Sequence, residues 1–319
     1  MESGQKKVVV IGAGAVGTAY IYALLPTGVA GQIVLIDKDT NRVEGEVMDL
    51  SHGLPFIPPT VIKPGSYVDC ADADLIVVTA GAKQAPGQSR VELIRQNAEI
   101  VRSICTSIAE HDTSAVLVMV TNPVDALTHV ALEQLNWPRH RIIGSGTVLD
   151  SARFKYLLSR HCRVDARNVH AYIIGEHGDS EVAAWSMTHI AGVPIEQYCR
   201  ICGDCDYHKN HRKIAEDVRD SAYHIIDYKG ATYYGIGLSL VKITQAVLRD
   251  ENSILTVSTL LNGEYGIDNV CLSVPCVVGA GGVKKIITAQ LSDDEHKALH
   301  ASAGAIKEVT GQIAQPAHR

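Results

Sequence analysis

The run from Lys7 to Asp37 constrains the fold more than any other part of the chain. Lys7 to Ile11 is apolar and rich in β-branched residues, Gly12-Ala13-Gly14-Ala15-Val16-Gly17 interrupts it, and Thr18 to Leu25 continues with helical spacing. A strand that turns on glycines straight into a helix offers unpaired backbone N–H groups to an anion at the helix N-terminus. A second strand-like run, Gln32 to Ile36, ends in Asp37, 20 residues after Gly17. Gly-rich turns alone are common; strand, glycines, helix, strand and acid in this order form a dinucleotide fingerprint. In it, Gly12 permits the tight turn, Gly14 lets the backbone approach a pyrophosphate, and Gly17 lets helix pack on strand. A carboxylate at Asp37 accepts hydrogen bonds from ribose hydroxyls and repels a 2′-phosphate, which favours NAD over NADP.

Further apolar runs follow at Leu75 to Val78, Ala115 to Val120 and Ile142 to Gly144, with an amphipathic helix from about Val91 to Glu110. Strands alternating with helices predict a parallel sheet covered on both faces, with ligands beyond the carboxyl ends of the strands. Beyond about residue 148 the alternation breaks. A helix at Leu149 to Arg160 and a strand at Val169 to Ile174 precede long helices at Arg212 to Tyr228 and Tyr234 to Leu248. Strands at Ile254 to Leu261, Val270 to Val278 and Val283 to Ile287 and a helix from about Asp293 to Ile313 complete the chain. The expected fold is α/β: a Rossmann-type doubly wound parallel sheet over residues 1–147, then an α+β catalytic domain over residues 148–319, as a length of 319 residues also suggests.

Composition excludes several classes. With 46% hydrophobic and 20% charged residues, a net charge of -6 and no basic run, nucleic acid is not an expected partner. Lys6 and Lys7 ahead of the uncharged stretch Val8 to Leu25 imitate a secretory signal, but Gly12, Gly14 and Gly17 suit a strand, turn and helix better. No other stretch is long enough to span a bilayer, and a cytoplasmic location is expected. Cys199, Cys202 and Cys205, followed by His208 and His211, have the composition of a metal cluster but lack the second cysteine pair of a zinc site. Thiols in a reducing compartment, with no metal, are the expectation.

The chemistry is expected at Gly175-Glu176-His177-Gly178-Asp179-Ser180. A histidine exchanges protons near neutral pH when a carboxylate orients it. Asp150 and Arg153 stand three apart, so in a helix they share a face and enter one cavity together; a surface ion pair and a loop histidine are the bland alternative. The polar, glycine-broken loop from Thr79 to Arg90 suits a lid that carries Arg90 into the site, and equally an ordinary surface loop. Asn122, in Thr121-Asn122-Pro123-Val124-Asp125, has amide groups suited to a nicotinamide ribose or substrate, although Asn-Pro is also a good turn before a helix.

With these motifs in this order, nearly the whole chain resembles the lactate/malate dehydrogenase family, and within it the bacterial L-lactate dehydrogenases. The resemblance implies hydride transfer between NADH and a 2-oxo acid, with His177 exchanging the proton, Asp150 orienting it, Arg153 gripping the substrate carboxylate and Arg90 polarising the ketone. It places Gln84, Asn122 and Thr232 beside the substrate. Gln84 stands where malate dehydrogenases carry arginine, so pyruvate/lactate is the expected pair, with malate or a branched 2-hydroxy acid as alternatives and a non-catalytic NAD-binding protein as a different class. Cofactor contacts are implied at Gly12, Gly14, Val16, Gly17, Asp37, Arg42, Tyr67, Gly81, Ala82, Ser103, Thr121, Asn122 and Ser145. Lys155 and His170 match a basic pair that binds fructose 1,6-bisphosphate on a two-fold axis in some bacterial relatives, with lysine replacing the usual arginine; the same axis implies a homotetramer.

Overall fold

The structure, a computed structural model, describes residues 5–85, 87–202 and 207–314. The first half alternates strand and helix except between β3 and β4: β1 (Lys7–Ile11), α1 (Ala15–Leu24), β2 (Gln32–Ile36), α2 (Thr40–His52), β3 (Val61–Pro64), β4 (Leu75–Val78), α3 (Arg90–Ala109), β5 (Val116–Met119), α4 (Val124–Leu135) and β6 (Ile142–Gly144). These six strands pair in parallel in the order β3-β2-β1-β4-β5-β6. The order reverses between β1 and β4, which opens a crevice at the carboxyl ends of those strands. Alternate residues of β1 feed two separate cores: Val8 and Val10 pack on one face of the sheet, Val9 and Ile11 on the other. Each such side chain is fully or almost fully buried and contributes about 1.5–3 kcal/mol, which is why these runs are apolar at every position rather than at every second one.

The second half comprises α5 (Val148–Cys162), β7 (Val169–His170), β8 (Ile173–Ile174), β9 (Val182–Ala183), β10 (His189–Ile190), β11 (Val193–Pro194), α6 (Ile195–Cys202), α7 (Tyr207–Lys229), α8 (Tyr234–Leu248), β12 (Ser253–Asn262), β13 (Asp268–Gly279), β14 (Gly282–Ile286) and α9 (Asp293–Ala314). It is α+β, but not detached from the first. The antiparallel strands β12, β13 and β14 continue the same sheet beyond β6, through the pairing of Ser258 with Gly144, and make it nine-stranded. Glycine is required at that junction, since a Cβ on Gly144 would lie 2.8 Å from Ser258 Cβ. A third core around Phe154, Leu158, Ile173, Ile214 and Val218 joins α5 to α7.

One expected strand is not continuous. Val169 to Ile174 divides into β7, which pairs with β10, and β8, which pairs with β9 in another small sheet. At Ile173 side chains of α5 and its approach replace a neighbouring strand: the Ile173 N–H donates to Ser151 Oγ at 2.9 Å and Thr147 donates to the Ile173 carbonyl at 2.6 Å.

Candidate functional site

At the switch point the glycines of the first turn have three different surroundings. Gly12 has φ +120°, and a Cβ there would meet Ala80 N at 2.6 Å; a Cβ on Gly17 would meet the Gly12 carbonyl oxygen at 2.1 Å. Gly14 is the N-cap of α1 and has open space around it, with no side chain capping the helix. The first-turn N–H groups of α1 are thus left to an anion, and that open cradle fits the pyrophosphate of NAD. Asp37, at the carboxyl end of β2, accepts the Ala13 N–H at 2.7 Å, so the acid sits directly beside the glycine turn. Arg42 is exposed on α2, Tyr67 is half-buried with its pKa raised by burial, and Ser103 is exposed on α3.

The base of the 79–89 loop is fixed by a residue that sequence reasoning passed over. Asn97, buried on α3, accepts the Ala82 N–H at 2.8 Å and donates to the Asn122 carbonyl at 3.0 Å. It ties the loop's first residues to the turn after β5. Thr121 donates to the Ala80 carbonyl at 2.7 Å, and Gly81 comes so close that a Cβ would lie 2.5 Å from Thr121 Cγ2. Ser145, buried, donates its N–H to the Met119 carbonyl at 2.7 Å. Gly81, Ala82, Thr121, Asn122 and Ser145 are thereby held beyond the ends of β4, β5 and β6.

Next to this crevice a cavity of about 270 Å³ is lined by Arg90, Asn122, Asp150, Arg153 and His177, with Glu181 and Arg219. His177 is placed by four elements at once. Gly175, at φ +93°, leaves β8 with a turn whose Cβ would meet Ser302 Oγ at 2.8 Å. The Glu176 N–H donates to Ser302 Oγ of α9 at 2.7 Å, and Gly175 pairs with Ser273 of β13. The His177 N–H donates to Asp125 Oδ2 of α4 at 2.8 Å, and its Nδ1 lies 2.6 Å from Asp150 Oδ2 of α5. Nε2 is left for the cavity. Asp150, 2% exposed, uses its other oxygen to accept from Arg153 at 2.6 Å.

The electrostatics follow from this geometry. Burial disfavours the imidazolium, but the Asp150 carboxylate, through charge and hydrogen bond, and Asp125 outweigh it and push the His177 pKa up to about 9. Burial also works against ionised Asp150, yet His177 and Arg153 hold it below the usual carboxylate range. An imidazolium beside a carboxylate is therefore the resting state at neutral pH. Asp125 is raised to about 6 by burial, with the His177 backbone and ring pulling the other way. Asp125 was visible only as the end of the Asn122–Asp125 motif. Its role is a backbone bond over 52 residues of chain, which no local pattern reveals.

Other expected positions lie at the rim of that cavity or outside it. Arg90 is exposed at the start of α3, 3.8 Å from Asp179. Gln84 is exposed and donates to the Gln88 carbonyl at 2.8 Å, inside the loop's own bonding. Neither Gln84 nor Thr232, which precedes α8, lines the cavity. Lys155 lines a different cavity, its ammonium 5.5 Å from the Tyr172 ring centre and its pKa lowered by burial, while His170 is exposed on β7. Cys199 is buried and His211 stacks on Trp185 at 3.6 Å; the side chains of Cys202, Cys205 and His208 lie outside the described residues. Among the described residues no helix is long and apolar enough to cross a membrane.

Comparison with known proteins agrees with this arrangement. Residues 6–144 match the lactate/malate dehydrogenase NAD-binding domain and residues 147–315 the lactate/malate dehydrogenase alpha/beta C-terminal domain. The chain is 53% identical to the L-lactate dehydrogenase of Treponema denticola over 310 residues, 97% of this chain and 98% of the relative. It is 50% identical to that of Acetivibrio thermocellus over 304 residues, covering 95% and 96%. Among solved structures, the ligand-bound minor L-lactate dehydrogenase of Enterococcus mundtii superposes with a TM-score of 0.95 at 40% identity, covering 98% of this chain and 99% of that one. A lactate dehydrogenase from a Medee basin deep-sea metagenome library gives 0.95 at 42% identity over the same shares. With both family models matched across nearly its whole length, the chain belongs to the lactate/malate dehydrogenase family.

Proposed function

We propose that the protein is an NAD-dependent L-lactate dehydrogenase in which His177 exchanges the proton at the substrate's C2 oxygen. The observation that carries this reading is the 2.6 Å contact between His177 Nδ1 and a buried Asp150 that also holds Arg153. NAD supplies or takes up the hydride. The protein's own residues do the rest.

A protonated His177 donates from Nε2 as negative charge develops on a ketone oxygen, and Asp150 fixes the ring and stabilises its charged form. Arg153, in the same cavity, offers a planar fork to the substrate carboxylate. Gln84 stands outside and Arg90 at the exposed rim of the cavity, and closure of the loop before α3 over substrate would carry both inward. There Arg90 would stabilise the developing oxyanion and the closed loop would exclude water. Neutral Gln84 would leave the second carboxylate of oxaloacetate desolvated and unpaired, at a cost of several kcal/mol. Pyruvate's methyl group needs no partner. Asp37 and the α1 N-terminus receive the adenosine ribose and pyrophosphate, and residues 1–147 and 148–319 divide as cofactor and substrate halves.

NADH oxidation measured with pyruvate and with oxaloacetate in parallel tests the reading. Strong preference for pyruvate is expected; preference for oxaloacetate overturns the substrate, and NADH binding without turnover of either acid overturns the enzymatic role. Repeating the assay with fructose 1,6-bisphosphate tests the further reading that Lys155 and His170 form an effector site across a two-fold axis of a cytoplasmic homotetramer. Replacing the usual arginine by Lys155 keeps charge but loses the fork, so weak binding is expected.

A further inference from the structure

Several ionisable groups of the cavity have no part in the chemistry above, and Glu181 is the one among them with a buried, unbonded oxygen. Glu181 stands on the turn between His177 and β9 and lines the same cavity as the groups a substrate must engage. Its Oε1 is buried and has no hydrogen-bond partner among the described residues, in a site where Asp150 is bonded through both oxygens. A buried carboxylate oxygen left unbonded costs free energy that its neutral form largely avoids.

The charges around it explain why it is left so. Asp150 and Arg153 face it from α5, His177 from its own loop and Arg219 from α7. Glu176, Asp179 and Arg90 complete the ionisable lining. Asp150 already takes Arg153, so a second internal anion has only the guanidiniums that an incoming carboxylate also needs. Burial, and then the Asp150 charge, push the Glu181 pKa up to about 8, against the pull of His177, Arg153 and Arg219.

We propose that Glu181 is a proton-linked gate for the substrate's carboxylate. In its neutral form it leaves Arg153 and Arg219 to the ligand, and in its ionised form it competes for them. Glu181 is a positioning residue in this scheme, acting on binding and not on hydride transfer. The inference rests on the proposed reaction, and it separates from the role of His177 by sign. L-lactate binds to neutral His177, so loss of the His177 proton favours lactate; loss of the Glu181 proton opposes any carboxylate.

The experiment is kcat and KM for L-lactate with NAD from pH 6.5 to 10, on the full-length protein and on Glu181→Gln and Glu181→Asp. For the unaltered protein kcat/KM should rise with pH, level between about 8 and 9, and fall above that by about tenfold per pH unit, through KM and not kcat. Glu181→Gln should lose the alkaline fall, and Glu181→Asp should keep it. A monotonic profile in the unaltered protein, an alkaline fall that persists in Glu181→Gln, or a fall carried by kcat overturns the gate. Should Glu181→Gln not fold, the unaltered profile and Glu181→Asp still decide. Absence of turnover at every pH overturns the lactate dehydrogenase reading itself, an outcome distinct from the other three.

Discussion

The side chain on which the proposed chemistry turns is His177, and its behaviour is set by two carboxylates of opposite fate. Asp150 stays ionised and raises the imidazole, whereas Asp125 is spent on the His177 backbone N–H. Pyruvate reduction should hold through neutrality and fall as pH rises through about 9, the His177 value; a rate flat to pH 10 with chemistry rate-limiting would remove His177 as the donor. His177→Ala should lower kcat by about 10²–10⁴-fold while NADH still binds, as NADH fluorescence would show. The same contact links to stability. A histidine whose folded pKa is raised from the ordinary 6.5 to about 9 stabilises the fold fully below 6.5, and that contribution disappears as pH rises through 9. At the other site, Gly17→Ala would place a methyl 2.1 Å from the Gly12 carbonyl oxygen. It should cost about 1–3 kcal/mol in thermal unfolding and weaken NADH binding, since the turn must move away from α1.

Among the elements, the 79–89 loop leads into α3 and is held differently at its two ends. One end is pinned by buried Asn97, the other by a reciprocal cap in which Ser89 accepts the Glu92 N–H and Glu92 accepts the Ser89 N–H at 2.8 Å. Between them the described residues are mostly exposed and bond largely to one another, as when Gln88 takes the Ala85 N–H at 3.0 Å. Ser89→Ala should destabilise the first turn of α3 by about 1 kcal/mol and speed amide exchange at residues 87–93, leaving exchange near Asn97 as it was. The alternation of strand and helix made β1, β2 and β4 to β6 legible because each is buried on both faces and reads as an apolar run, whereas β3, Val-Ile-Lys-Pro with only Ile62 buried, carries no such run and is not legible. By contrast β7 to β11 are two residues long each, too short for any periodicity, and their pairing depends on side chains such as Ser151 and Thr147.

At the scale of the molecule, the two halves share one sheet. Cutting the chain after residue 147 would expose the edge of β6 and the apolar faces that α4 and β13 bury together. The isolated fragment 1–147 should therefore aggregate in size-exclusion chromatography, whereas the whole chain elutes as a discrete species. The cavity needs both halves: Arg90 and Asn122 come from the first, Asp150, Arg153, His177 and Arg219 from the second.

Local order determined a great deal here. The dinucleotide turn, the acid after β2, the spacing of Asp150 and Arg153 and the histidine loop are each short-range patterns, so the fold class and the kind of chemistry were readable from neighbours along the chain. Tertiary structure decided what local pattern cannot carry, because it concerns groups far apart in sequence. Asp125 reaches His177 across 52 residues and Ser302 reaches Glu176 across 126. Antiparallel β12 to β14 extend a parallel sheet, and Glu181 Oε1 is buried among charges it does not bond. Burial and charge at such a site are sums over the whole fold, and only the folded chain fixes them.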